Sequence, residues 1–163
     1  MHITLRTVVT RYFDDTPVTV TDPCYRKGTW CTIQNIHVLP GDYDCIKGTI
    51  REYYNDPVTE KRRWGYRIAE CGIYHKDYPN VAKLKQEHIG SIGVDAGLAG
   101  FFQNKPDYTD AEWYEFCNAL KNKSELITEH GFCTTSGYGD GCYDVYTYRN
   151  DKNEIVGLKI RFI

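Results

Sequence analysis

No uninterrupted apolar run in this chain approaches the ~20 residues that a membrane-spanning helix needs, so no membrane contact is expected. The opening stretch, MHITLRTVVTRYFDD, has no basic leader and no apolar core of signal-peptide length. A cytoplasmic protein is therefore expected. An excess of charge is missing too: 20 Lys and Arg stand against 22 Asp and Glu, for a net charge of -2. Such a balance sets up no long-range field for a polyanion. The one short basic patch, Lys61-Arg62-Arg63-Trp64, reads as a solvated hairpin tip, so no nucleic-acid partner is expected. Close cysteine pairs are also absent. The seven cysteines are odd in number and none is spaced as Cys-x-x-Cys. No zinc site is predicted, and most of the thiols should stay reduced as small core hydrophobes.

Tyrosine and β-patterning are abundant. Fourteen tyrosines bring the aromatics to 14%, and a ring with a polar tip suits half-buried strands and binding surfaces alike. Strands are predicted at 3–12, 17–22, 30–39, 43–54 and 63–74, with a possible bulge at Gly48. Residues 76–88 read as a polar surface loop. Residues 89–102 hold buried Ile92, Val94, Phe101 and Phe102 among glycines that permit a bend. Cys142–Tyr148 alternates, with Tyr143, Val145 and Thr147 on one face and Asp144, Tyr146 and Tyr148 on the other. After a turn at 149–153, Val156, Leu158, Ile160 and Phe162 alternate against Gly157, Lys159 and Arg161.

One helix stands out, at about 109–122. Thr109-Asp-Ala-Glu112 is a capping box, and Tyr108 before it can staple onto Trp113. Trp113, Phe116, Cys117 and Leu120 recur at i, i+3, i+4 and i+7 as an apolar stripe. With one helix among strands and no repeat or linker, residues 1–163 read as a single β-rich domain. The expected fold class is mainly β: an antiparallel β-sandwich or partly closed barrel with one amphipathic helix.

Three short stretches combine an acid with glycine, proline or small residues: Asp22-Pro23-Cys24-Tyr25, Val94-Asp95-Ala96-Gly97 and Ser136-Gly137-Tyr138-Gly139-Asp140-Gly141. Each alone is explained as a turn, because Asp bonds nearby amides and Gly takes positive φ. Together, at strand ends, they are a candidate rim. Asp22, Asp95 and Asp140 would then share a site, Gly97 and Gly139 would admit a ligand close to the backbone, and Tyr25 and Tyr138 would offer flat faces. A phosphate loop is excluded, since no Lys-Ser/Thr follows and a strand rather than a helix comes next. No βαβ unit supports a dinucleotide fold. Cys24, beside Asp22 and with His37 downstream, reads as an inert thiol rather than a nucleophile.

Taken in order, "DPCY", "VDAGLAGFF", "AEWYEFC" and "SGYGDGCYDVY" resemble the motifs of a family of small uncharacterised bacterial and phage proteins. The resemblance runs over roughly residues 18–163 and departs at Ala96, where that family often has Ser. It implies that the three acidic turns act as a set, but it implies no activity and no cofactor. The expected function is binding of a polar small molecule, nucleotide- or sugar-like, at the Asp/Gly/Tyr rim. A phage protein of this kind would sequester a host defence signal. An Asp-based hydrolase, metal-dependent or not, and a protein-interaction or inhibitor module stay open as alternatives. No catalytic residue is assigned.

Overall fold

The computed structural model describes residues 2–163. Eleven strands and one α-helix follow in the order β1 (Thr4–Phe13), β2 (Val18–Thr21), β3 (Ile33–Ile36), β4 (Gly41–Asn55), β5 (Arg62–His75), β6 (Lys85–Val94), β7 (Leu98–Gln103), α1 (Asp110–Leu120), β8 (Glu125–Ile127), β9 (Gly131–Thr135), β10 (Gly141–Arg149) and β11 (Ile155–Arg161). They form two antiparallel sheets, ordered β1-β4-β5-β11-β10-β6 and β3-β2-β7-β9-β8. The sheets face each other as a sandwich and do not close into a barrel.

Period-two alternation builds the core. Phe13, Tyr43, Cys45, Ile73, Val145, Leu158 and Ile160 point in from the larger sheet, and Val18, Val20, Phe101 and Phe132 from the smaller. Each is all but fully buried, and burying one such side chain is worth about 2 kcal/mol before entropy is counted. Tyr43 brings its hydroxyl inside and donates it to the Leu39 carbonyl at 2.6 Å. The smaller sheet is covered on both faces, so every residue of β7 is buried. Phe101 faces the sandwich interior, while Phe102, Leu98 and Cys133 meet Phe116, Trp113 and Tyr108 from the helix side. Gly100 permits the tight β7–β9 pairing, since a Cβ there would sit 2.0 Å from the Phe132 carbonyl oxygen.

The capping box forms as the sequence predicts. Thr109 Oγ1 accepts the Glu112 amide, and Glu112 Oε1 accepts the Thr109 amide. The staple forms too, with the Tyr108 and Trp113 rings 6.1 Å apart. The apolar stripe is narrower than expected. Only Phe116 is buried and Cys117 is exposed, because α1 lies on the sheet along one edge.

Two other expectations need correction. Trp30–Leu39 is strand only at Ile33–Ile36; Trp30 is 91% exposed, and Asn35, inside the short strand, takes a left-handed φ of 60° where its pairing with β2 shifts register. Residues 76–88 are not all loop, since β6 begins at Lys85 and pairs with β10 despite its polar side chains. Residues 89–102 belong to two strands in different sheets, joined at Asp95–Gly97. Strands β8 and β9 carry no alternation strong enough to read from sequence.

The C-terminal hairpin has the predicted faces. Tyr148 is nevertheless buried on the outer one. Gly72 and Gly157 leave a trench there, in which the Tyr74 and Tyr148 rings lie 5.5 Å apart. All seven cysteines are free. No helix among the described residues is long and apolar enough to cross a membrane.

Candidate functional site

The three acidic turns meet at one end of the sandwich. Asp22, at the end of β2, is fully buried. Its Oδ1 accepts the Cys24 amide at 3.0 Å, and its Oδ2 accepts the amides of Asp95 and Ala96 at 2.9 and 2.6 Å. One carboxylate therefore clasps the first turn to the second, and charge-assisted bonds of this kind are strong. The second turn holds the third: the Ser136 amide donates to the Gly97 carbonyl at 3.0 Å. Within the third turn, Ser136 Oγ and Tyr143 Oη both donate to the Gly139 carbonyl at 2.7 Å. Gly137 sits at φ +70°, where a Cβ would meet the Ile68 carbonyl oxygen at 2.9 Å, so glycine is required on both counts.

Convergence of the turns is not convergence of their carboxylates. Asp22 is consumed by backbone amides, while Asp95 and Asp140 point to solvent. Among the described residues no three Cys, His, Asp or Glu side chains are placed to hold a metal ion. Cys24 is no nucleophile: burial, with Asp22 and Asp95 adding, pushes its thiol up to about 12. Burial raises the Tyr25 phenol, the Tyr25 backbone carbonyl accepts Lys105 Nζ at 3.0 Å, and the residue lines a recess of about 160 Å³ on the outer side of β2 with Thr19, Thr21, Arg26 and Lys105.

Tyr138 is placed differently. The residue is 61% exposed, yet its hydroxyl donates to Glu52 Oε1 at 2.8 Å. The Arg67 guanidinium lies 4.1 Å over that ring, donates to Glu52 Oε2 at 2.5 Å and to the Gly137 carbonyl at 2.9 Å. The bond from Tyr138, then those from Arg67, hold the Glu52 carboxyl below its ordinary value. The glycine turn is thus fixed to β4 and β5.

Gly137 leads into a cleft of about 530 Å³. It opens where the edge strands β1 and β8 leave the sandwich unclosed. There the sheets are tied by side chains. Arg11 donates to the carbonyls of Thr128, Glu129 and Gly131. Lys47 donates to Ser124 Oγ at 3.1 Å and to Glu125 Oε2 at 2.8 Å. The cleft is lined by Arg6 and Lys47 and by Thr4, Thr49, Ser124 and Thr135, with Tyr66 as an aromatic wall, while the Arg67 guanidinium turns to the opposite face of β5 toward Glu52. Lys47 and Arg67 have acid partners, whereas Arg6 forms no ion pair among the described residues. An ammonium has three donors and a guanidinium five, so both paired cations keep N–H groups in reserve.

The sequence reading missed Glu52, Arg67, Arg6 and Lys47. One signal was present: Lys47 shares the strand parity of Tyr43 and Cys45, so a charge stands in the apolar phase of β4.

No protein-family model matches the chain, and neither the curated proteins nor the solved structures include one similar to it.

Proposed function

We propose that the protein is a binding module for a polar, phosphate-bearing small molecule, nucleotide- or sugar-phosphate-like, held in the cleft between β1, β4, β5 and the β8–β9 side. The observation that carries this reading is the lining itself: the cations Arg6 and Lys47 and four Ser and Thr residues around one recess, with an exposed tyrosine at its wall. Cations and hydroxyls suit phosphate oxygens, and a flat ring suits a base or sugar face. A cleft of this volume lies within the usual range for small-ligand sites.

Gly137 supplies one wall, and the clasped turns behind it support that wall. Asp95, Asp140 and Tyr25 lie outside the cleft, so the rim acts as its support. A module of this kind works by holding its ligand. Sequestration of a host signal by a phage protein is the role that the family resemblance adds.

Thermal melting with a nucleotide panel (ATP, a cyclic dinucleotide, ADP-ribose) and with inorganic pyrophosphate tests the proposal. At least one should raise the Tm, the gain should vanish in Lys47→Ala and in Arg6→Ala, and chromatography should recover the ligand unchanged. No shift with any of them at saturating concentration would reject the reading.

A further inference from the structure

The strands β4 and β5 run beyond their neighbours. β1 reaches only to Thr49, and β11 only to Glu70. Residues 50–55 and 62–68 therefore extend as a two-stranded arm with no third strand beside it. Register sorts its side chains. Arg51 lies opposite Tyr66, Tyr53 opposite Trp64, and Asn55 opposite Arg62. Directly paired residues share a face, so one face of the arm carries two arginines and three aromatic rings.

The contacts confirm the sorting. The Arg51 guanidinium lies 4.0 Å from the Trp64 ring centroid and 5.3 Å from that of Tyr53. Arg62 lies 4.6 Å from Tyr53, and the Trp64 and Tyr66 rings are 5.5 Å apart. Half or more of each residue is open: 51% for Tyr53, 50% for Trp64 and 70% for Tyr66. Exposed apolar surface grouped in this way marks a contact surface.

Charge chooses the partner. No acid shares this face. Glu52 is on the opposite side, held by Arg67 and Tyr138, and Asp56 is held by Arg63 at 2.8 Å. The same face continues inward through Thr49 and Ile68 to the cation-lined cleft, and Tyr66 lines both. Aromatic rings interleaved with guanidinium groups along a cation-lined track stack successive bases and neutralise the phosphates between them, without reading sequence. Side chains two apart on a strand are about 7 Å apart, a spacing that an extended single strand can follow one nucleotide at a time. We infer that the arm and cleft form one continuous site for single-stranded nucleic acid. The inference rests on the proposed phosphate-binding cleft and extends its ligand from a mononucleotide to a strand. The near-neutral charge of the whole chain does not oppose it, because charges beyond a Debye length are screened and the local face decides.

Fluorescence polarisation with labelled single-stranded DNA and RNA oligomers, the matching duplexes and a polyglutamate peptide tests this, alongside ATP. Single strands should bind at least tenfold more tightly than ATP and than duplex, with affinity falling as salt rises. Trp64→Ala should weaken that binding about tenfold, the loss expected from one stacked base. The paired change Arg51→Gln with Arg62→Gln should weaken it and flatten the salt dependence. Trp64→Phe should restore most of the loss, which a merely misfolded arm would not allow. Single strands binding no better than ATP, or equally well in all the arm variants, would overturn the inference while leaving the small-ligand cleft standing. Equal binding of polyglutamate would overturn it in favour of an acidic protein partner. Binding of neither strands nor ATP would remove both readings.

Discussion

Among single residues, Glu52 has the most informative position. Its two oxygens join the arm to the glycine turn through Tyr138 and Arg67, and these bonds lower its pKa from the ordinary value of 4.5. A carboxyl whose folded value is depressed contributes stability that is present above its unfolded value and is lost as pH falls through the folded one. The tether should therefore hold at neutral pH and fail on acidification below 4.5. Since Glu52 is solvent-accessible, the effect on total stability should be small. Tm measured against pH for the wild type and for Glu52→Gln tests this. The two should differ at neutral pH and converge in acid, and parallel curves throughout would disprove the tether. None of this was legible in the sequence, because Glu52 reads as one acid of a strand until Tyr138, 86 residues away, is folded against it.

Individual elements were legible in proportion to how local their causes are. Helix α1 announces itself through Thr109, Glu112, Tyr108 and Trp113, which all lie within one and a half turns, and each forms the predicted contact. The β10–β11 hairpin is equally plain, since its alternation and its turn are adjacent. Strands β8 and β9 are short, and their burial comes from α1 and β7 rather than from their own pattern. The helix offers an element-level prediction. Thr109→Ala should cost about 1 kcal/mol. Because α1 covers only the outer face of the smaller sheet, that loss should appear first as roughly fivefold faster amide exchange within α1, the factor that 1 kcal/mol represents. Exchange in β4 and β11, on the far sheet, should be unchanged. Equal acceleration everywhere would mean that helix and sandwich unfold as one unit.

At the level of the whole molecule, what the sequence signalled was that three loops belong together, and what it could not signal was which atoms meet. Asp22, Asp95 and Asp140 look alike as letters. One is buried and bound by amides and two are in water, because burial depends on the crossing from β6 to β7, which changes sheets between Val94 and Leu98. The clasp made by Asp22 has a further consequence, in time rather than in place. Its partners are 73 and 74 residues away, on a turn that leaves one sheet and enters the other. It forms only once β2 has paired with β7 across that separation, so it should contribute little to the folding barrier and much to the barrier against escape. Asp22→Asn, which presents an amide donor to backbone donors, should lower stability by about 3 kcal/mol. In a chevron experiment nearly all of that loss should appear as faster unfolding, with the refolding limb unmoved. A slowed refolding limb would place the clasp in the nucleus instead. On this view the buried carboxylate works as a latch: it does little to guide the chain into its fold, and it sets how long the fold lasts.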